Sequence, residues 1–507
     1  MMEWDAVRFG HPVIQISSTE TMLTRRIAAL LYTNWEMWPE QNQSCYTNLT
    51  DRSIPCGQGR VPFYTVQAQT SKNIQAGVNF ARSHNIRLAI QSTGHIYQGR
   101  STAPESLQIN THLMKNKTVH HNFKPSGYNG TGMIEPIAVT LDAGGQLIDM
   151  YEFCYNHHVM VVRGISNGVG ATGGFVQGGG HSLFAGLMGM ASDNALEFKV
   201  VVADLRSPCY CECFQNSDLF WALRGGGGGT FGVVTSVTVR AIREPSIVAF
   251  SFEGGAALGS DAYWDEVAYL NQFLPEFNEG GGSIIAEVNR TMMPFIEKLE
   301  NITGSSFTYT PGLYKRGSTL YVVNFSGPDQ AGVPAILGSR LLTRDLLKST
   351  DGPKEIAEAL CSLKVYPDLT DPISGIVTVG PKFGPALTLT ARCILFGVRH
   401  NCISISLGHG RTPIHSTIKK ILQTNLTDVE VPILKKLDPA PQGGAYLNEA
   451  DAYYPEWRDT FCGSNYPRLY RIKQKWDLEG LFIVRTGVGS EDWDEEGLCP
   501  RFSKAQL

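Results

Sequence analysis

The chain has 507 residues and a formal net charge of −4, from 43 basic against 47 acidic side chains. This length predicts two or three domains, or one domain that carries a large insert. The nearly balanced charge excludes the strong positive field by which proteins hold nucleic acid, and no apolar run approaches the roughly 18 residues of a membrane helix. With 42% hydrophobic and 18% charged residues, the composition is typical of a globular protein.

The first clear pattern begins at Pro62 and predicts a β-α-β unit. Residues 62–67 (PFYTVQ) predict a strand with the proline at its first position, where it is tolerated. Ser71 can cap a helix that runs to residue 81 and places apolar side chains on one face. Residues 87–91 (RLAIQ) then predict a buried strand.

A second group of elements follows the same rhythm. It consists of a helix over 146–155, strands over 159–162, 196–203 and 233–242, and a short helix over 218–223. From about residue 243, apolar and polar residues alternate, which is typical of an antiparallel sheet with one covered face. The alternating segments are 248–254, 318–327, 375–380 and 387–393, with helices expected over 261–273 and 333–347.

From Tyr446 the alternation ends and the sequence pattern again resembles that before residue 243. The last element it predicts is a helix over 466–476. The simplest interpretation is an α+β fold in which one domain is built from two pieces of sequence, 45–242 and 441–507. A substrate domain with an antiparallel sheet, 243–440, is inserted between them, and residues 1–44 form an N-terminal extension.

Three glycine-rich loops lie in one half of the chain, at 92–99, 164–180 and 225–229. Glycine lets the backbone approach a ligand closely and point successive N–H groups at an anion. Any one of these loops could simply be a tight turn. Together they favour a long ligand that carries phosphate groups, such as a dinucleotide.

The segment from Gly168 to Gly173 matches the letters of the G-x-G-x-x-G fingerprint, and Asp193 lies where a ribose-binding acid is expected. A Rossmann site nevertheless needs a helix directly after the fingerprint. Here GFVQGGGHS follows, and its glycines disfavour such a helix. No G-K-[ST] follows any cluster, which excludes a P-loop.

Five separate motifs, in the correct order over about 45–482, carry a resemblance to a known family. They are STGH with Tyr97 and Gly99, GISNGVG through GGGH at 178–181, Asp193-Asn194, DLFWALRGGG closing on FGV at 231–233, and YLN at 446–448 with GSNY at 463–466, Lys473 and Asp477. The chain thereby resembles the FAD-linked oxidases of the vanillyl-alcohol oxidase and berberine bridge enzyme type. The resemblance implies a PCMH-type FAD-binding domain with an inserted substrate domain.

The resemblance also implies which residues bind FAD. They are Ser92, Thr93, Gly94, His95, Gly99, Gly164, Ser166, Gly168, Gly170, Gly173, Gly174, Gly180, His181, Val233 and Asn448. In the family, the histidine that matches His95 is joined covalently to the flavin; an ordinary turn histidine is the alternative. Relatives with two tethers carry a cysteine where this chain has Ser166, whose hydroxyl is a poorer nucleophile. A single tether through His95 is therefore expected.

The candidate catalytic base departs from the family pattern. Many relatives have a tyrosine after the residue that matches Asn448, and this chain has Glu449. A carboxylate beside an apolar flavin face can serve as a general base; the alternative is a structural acid that accepts backbone hydrogen bonds. On a strand, Asn448 and Glu449 would point to opposite faces. Tyr446 is a second catalytic candidate, and Tyr453 a weaker one.

Two further segments carry chemistry-bearing side chains. Residues 391–417, with His400, His409 and His415, match no pattern of the family and leave the substrate undefined. Cys209, Cys211 and Cys213 could ligate a metal, but no second C-x-x-C pair accompanies them. A hairpin between two strands of the FAD domain is the preferred interpretation, and no metal site is predicted.

The family implies an oxidoreductase in which a base takes a proton from a hydroxyl or amine while hydride passes to the flavin. The small-molecule substrate and O₂ are the expected partners, with O₂ giving H₂O₂, and neither nucleic acid nor a membrane is expected. An intermediate of fungal secondary metabolism, oxidised or cyclised, is one substrate class; a secreted carbohydrate or alcohol oxidase is the alternative. A flavin-binding protein without turnover also stays open, and the oligomeric state is undefined.

Signals of location conflict. Eight N-x-S/T sequons favour the secretory route, and they lie at Asn42, Asn48, Asn116, Asn129, Asn289, Asn301, Asn324 and Asn425. The first residues show no basic segment followed by an apolar one, as a signal peptide would. Either the chain is cytoplasmic, or its N-terminus differs from the one given. Cys45 and Cys56 bracket a polar loop and could close a disulfide there.

Overall fold

The computed structural model describes most of the chain, in fourteen ranges. They are residues 6–8, 33–45, 57–132, 134–164, 166–182, 185–203, 209–257, 259–280, 285–303, 307–314, 335–363, 401–410, 416–439 and 443–501. Among these residues, no helix combines the length and the apolar character that crossing a membrane requires.

A four-stranded sheet contains the predicted β-α-β unit. The strands Tyr64–Gln67 and Leu88–Gln91 flank Leu107–Asn110, and both pair with it in parallel. The helix Ser71–Ser83 connects the first two, and its N-cap Thr70 exchanges hydrogen bonds with Asn73 in a capping box. The prediction of this unit is confirmed, whereas the predicted cap is wrong, because Thr70 and not Ser71 caps the helix. A short strand, Ala6–Arg8, pairs antiparallel at the outer edge.

The second sheet is antiparallel and has five strands. Their order across the sheet is Cys209–Cys211, Ala195–Val201, Val233–Arg240, Glu135–Asp142, Lys117–Phe123. Two helices of this region are Leu147–Asn156 and Ser217–Leu223, close to the bounds expected from the sequence. Because Cys209–Cys211 pairs with the preceding strand, the expected hairpin is confirmed. The mixture of a partly parallel and an antiparallel sheet with helices confirms the α+β class.

The region after residue 243 contains antiparallel strand pairs and long helices. Ile247–Gly254 pairs with Phe307–Tyr314, and Ala335–Thr343 pairs with Asn401–Gly410. The helix expected over 261–273 continues to residue 280, as Asp261–Gly280. The strand expected over 248–254 is confirmed, whereas the other three alternating segments, at 318–327, 375–380 and 387–393, lie outside the described residues.

The helix expected over 333–347 is wrong. Ala335–Thr343 is a strand, and only the short segment Arg344–Lys348 is helical, with the Thr343 side chain accepting a hydrogen bond from Leu346 N. Residues on both faces of the strand are buried, among them Ile336, Arg340 and Leu341. A strand covered on both faces shows no polar alternation, so its sequence does not distinguish it from a buried helix.

The remaining strands have two residues each, and the remaining helices range from one turn to the 19 residues of Ile285–Thr303. The strands are Met37–Trp38, Gln43–Ser44, Val159–Met160 and Ile242–Arg243, and the helices are Ala185–Met188, Ile285–Thr303, Gly352–Ser362, Ser416–Asn425, Val431–Leu437, Trp457–Cys462 and Tyr466–Trp476. The last of these confirms the C-terminal helix. The domain bounds at 44/45, 242/243 and 440/441 stay predictions.

The C-terminal helix is anchored by a buried ion pair. Lys473 Nζ lies 2.5 Å from Asp477 Oδ2, and both residues are 1% exposed. The same ammonium donates to Thr230 O at 2.7 Å and to Phe482 O at 2.6 Å. A buried charge is tolerated when every polar atom around it is paired. Lys473 therefore ties the last helix to the end of the third glycine loop.

Replacement of Lys473 by methionine should destabilise the protein by about 3–5 kcal/mol, because Asp477 would remain buried without its counter-ion. The matched control is Lys475→Met, two residues along the same helix. Its side chain is 61% exposed and pairs with Asp218, so its loss should cost no more than about 1 kcal/mol. Denaturant unfolding of both variants measures the difference; equal losses would contradict this anchoring role.

Candidate functional site

A cavity of about 330 Å³ lies where the three glycine-rich loops meet the C-terminal segment. The first loop follows the strand Leu88–Gln91, and the second follows Val159–Met160. The third joins the helix Ser217–Leu223 to the strand Val233–Arg240. Loops at the ends of strands can turn backbone N–H groups towards one ligand. The fold thus gathers segments that are far apart in sequence around one space.

Most of the residues that the sequence assigned to cofactor binding or catalysis line this cavity. They are Ser92, Thr93, Gly94, His95, Gly164, Ser166, Gly170, Gly173, Gly174, His181, Tyr446, Asn448 and Glu449.

Gly99, Gly168, Gly180 and Val233 are outside the lining of this cavity, and their assignment to FAD stays a prediction. Gly99 has a φ of +67°, and a Cβ there would meet the Trp35 ring at 2.2 Å. The Gly168 and Gly180 carbonyls accept hydrogen bonds from Gln146 Nε2 and Ala191 N, and Val233 is 1% exposed in the core.

The glycines of the second and third loops make room that side chains would fill. A Cβ at Gly170 would lie 2.7 Å from Ser92 Oγ, and one at Gly228 would lie 3.0 Å from the Gly174 backbone. A Cβ at Gly174 would meet no protein atom within 4 Å. Backbone that approaches so closely, beside open space, is what a cofactor with phosphate groups requires.

Several buried polar atoms of the lining residues are also available to a ligand. In the part of the chain that the structure describes, no hydrogen-bond partner is found for Arg100 Nε, Ser101 Oγ, Gln177 Oε1 and His181 Nδ1. Buried polar groups are almost always paired in native proteins. Donors and acceptors distributed over the wall therefore fit a ligand with both phosphate and heterocyclic groups, as FAD has.

Sequence reasoning missed some of the lining residues, notably Arg100, Ser101 and Gln177. Arg100 and Ser101 directly follow the first glycine loop, and Gln177 lies inside the second. Their position next to or within the matched motifs could have identified them as lining residues. Residues 391–400 and 411–415 of the segment without a family pattern, with His400 and His415, lie outside the described residues.

The C-terminal segment enters the cavity as a short 3₁₀ turn, Leu447–Glu449, and not as a strand. Successive residues of a 3₁₀ turn point about 120° apart. Asn448 and Glu449 consequently both line the cavity, while Leu447 packs into the core. A strand would have pointed Asn448 and Glu449 to opposite faces. That expectation is wrong, because this segment is a 3₁₀ turn.

Asn448 and Tyr446 fasten this turn to the second glycine loop. Asn448 Nδ2 donates to Gly174 O at 3.0 Å and to Tyr446 Oη at 2.9 Å. The same hydroxyl accepts a hydrogen bond from Gly180 N at 3.0 Å. Burial, and then the charge of Glu449, raise the pKa of Tyr446 above its usual value. The phenol is consequently held neutral and positions the loop.

Glu449 forms the central polar contact of the site. Its Oε1 lies 2.7 Å from His181 Nε2, and both side chains are about a quarter exposed, at 27% and 26%. Burial lowers the pKa of His181, but the charge and hydrogen bond of Glu449 outweigh burial and hold that pKa above 6.5. Glu449 Oε2 has no hydrogen-bond partner among the described residues, and so one carboxylate oxygen is available to a ligand.

Two family models match the chain. One, described as "FAD binding domain", matches residues 62–204, and the other, described as "Berberine and berberine like", matches residues 445–489. The first match covers two of the three glycine loops, and the second covers the turn with Asn448 and Glu449. Both fall on the segments assigned to the cofactor domain, and they confirm that the chain carries an FAD-binding domain.

Full-length similarities agree with these matches. The chain is 40% identical to an uncharacterized FAD-linked oxidoreductase of Arthroderma benhamiae, over 92% of this chain and 84% of that protein. It is 36% identical to the flavin-dependent oxygenase ucdF of Aspergillus ustus, over 97% and 93%. The crystal structure of the VAO-type flavoprotein MtVAO615 from Myceliophthora thermophila superposes with a TM-score of 0.78, at 28% identity, over 94% of this chain and 88% of that one.

The ion pair between His181 and Glu449 should make stability depend on pH. Because the folded pKa of His181 is raised, the pair contributes fully below about pH 6.5 and loses its contribution as the pH rises through the folded pKa. Glu449→Gln should lower the melting temperature more at about pH 5.5 than at about pH 8.5. The effect is small, since solvent screens partly exposed charges.

Glu456→Gln is the control for this comparison. It removes an ion pair at 3.1 Å with a lysine, Lys435, and contains no histidine, the side chain that ordinarily titrates between these two pH values. Its effect on the melting temperature should be the same at both. A Glu449→Gln effect that is independent of pH would show that His181 is not charged in the folded protein.

Proposed function

The chain belongs to the FAD-linked oxidoreductases of the vanillyl-alcohol oxidase type, and we propose that it oxidises or oxidatively cyclises a small-molecule intermediate of fungal secondary metabolism, with O₂ as the electron acceptor. The pair formed by Glu449 and His181 in the wall of the FAD cavity is the observation that carries this proposal. Bound FAD would supply the acceptor for a hydride from a substrate carbon, and O₂ would then be reduced to H₂O₂.

The protein's part in the reaction is to take a proton. Glu449 Oε2 is the base, because it faces the cavity without a protein partner among the described residues while Oε1 is held by His181. A substrate hydroxyl or amine within hydrogen-bond reach would lose its proton to this oxygen as the adjacent carbon loses hydride. The pair thereby promotes formation of the carbonyl or imine product.

His181 orients the base and balances its charge. The imidazolium fixes the position of the carboxylate through Oε1 and places a positive charge 2.7 Å from it. Tyr446 is a poorer base, since its raised pKa opposes transfer of a proton from its hydroxyl, which already accepts hydrogen bonds from Gly180 and Asn448. Its role is to hold the loop that carries His181.

The structural model favours a second candidate, a secreted carbohydrate or alcohol oxidase, through two observations. Cys45 is disulfide-bonded, which is typical of oxidising compartments. Of the six sequon asparagines in the described ranges, Asn289 is half-buried and the other five, Asn42, Asn116, Asn129, Asn301 and Asn425, are exposed. Digestion of the native protein with an N-glycosidase separates the candidates, because a loss of mass would favour the secretory route and an unchanged mass the cytoplasmic one.

The flavin should be attached through His95. Acid precipitation of the native protein should leave yellow flavin on the pellet, and His95→Ala should release it into the supernatant. Ser166→Ala is the control, because Ser166 lines the same cavity but is not expected to form a bond to the flavin. Free flavin in the supernatant of the native protein would refute the tether.

Glu449→Gln should slow flavin reduction by about 10²–10⁴-fold, because it preserves size and hydrogen bonding but removes the base. The measurement is anaerobic reduction by an alcohol or amine that reduces the native flavin, with flavin content determined in parallel. Glu456→Gln, outside the cavity, should reduce at the native rate. Native-like reduction by the Glu449→Gln variant, or failure caused only by missing FAD, would reject the role.

A further inference from the structure

The cavity wall contains one permanent positive charge, at Arg100, that the oxidation chemistry above does not use. Arg100 lines the cavity and is 7% exposed. It directly follows Gly99, whose φ of +67° turns the chain beneath the Trp35 ring. No other lysine or arginine is found among the described lining residues.

Few protein groups hydrogen-bond to this guanidinium or balance its charge. Arg100 Nη2 donates to Thr230 Oγ1 at 3.0 Å. Its Nε is buried and has no hydrogen-bond partner within the described ranges. Burial lowers the pKa of Arg100 to about 10, and no carboxylate of the described residues opposes that shift. The group is still charged at neutral pH, in a place that does not compensate its charge.

Arg100 also lies against the third glycine loop. A Cβ at Gly227 would come within 2.7 Å of Arg100 Nη2, and one at Gly487 within 3.1 Å. Glycine at these positions makes room for the guanidinium beside the backbone. A buried cation without a counter-ion is strongly disfavoured, and proteins that keep one hold an anion against it. The anion must come from the cavity.

We propose that Arg100 is a charged ligand of bound FAD and that its guanidinium pairs, through Nε, with an anionic group of the cofactor. FAD can supply such a group in two ways. Its diphosphate is charged in every redox state, and its isoalloxazine ring gains negative charge on two-electron reduction. The inference rests on FAD binding and is independent of the substrate, of Glu449 and of the reaction with oxygen.

The test measures binding and potential rather than turnover. Arg100→Met is made in a His95→Ala background, so that a covalent bond cannot hide a change in affinity. If the diphosphate is the partner, the Kd for FAD should rise roughly 10–100-fold while that for riboflavin is unchanged. If the reduced ring is the partner, the Kd for oxidised FAD is unchanged and the midpoint potential falls, by about 30 mV for each tenfold effect.

Two controls separate this role from a structural one. Arg471→Met removes an exposed arginine of the C-terminal helix, which donates to Pro467 O, and should change neither quantity. Without FAD, the Arg100→Met protein should melt at the same temperature as its parent or higher, because an uncompensated charge has been removed. Unchanged FAD affinity together with unchanged potential would overturn the proposal, and so would a lower melting temperature of the ligand-free variant.

Discussion

The buried ammonium of Lys473 is the constraint on which the architecture of the site depends. It joins Asp477 to the carbonyls of Thr230 and Phe482, and so links the C-terminal helix, the third glycine loop and the segment after the helix. Thr230 in turn accepts a hydrogen bond from Arg100, beside the first loop. A buried charge with complete pairing has little freedom to move, and elements from three parts of the chain are thus held in one arrangement.

In that arrangement, two groups of polar residues line one cavity. Arg100 and the close backbone of the glycine loops bring positive charge and N–H groups to the cavity wall, where we propose that they face FAD. Glu449, the base we propose, is oriented by one hydrogen bond to His181. The two groups share segments, because His181 directly follows the second glycine loop and Glu449 directly follows Asn448.

Local patterns predicted much of the fold, and long-range contacts limited the rest. The β-α-β unit, the helix Ser71–Ser83 and the flavin loops follow from periodicity and from motifs that are contiguous in sequence. The contact between His181 and Glu449 joins residues 268 positions apart, so no local pattern contains it. The strand Ala335–Thr343 was predicted as a helix because burial on both faces removed its alternation.

Reduction and reoxidation of the flavin in the purified protein test the account most directly, and this measurement needs no substrate. The account predicts a flavin absorbance band that one equivalent of dithionite bleaches without oxygen, and that returns when air is admitted, with one H₂O₂ formed for each flavin. A purified chain without flavin absorbance would contradict the FAD site built by the three loops. A reduced flavin that persists in air would contradict an enzyme that uses oxygen as its electron acceptor.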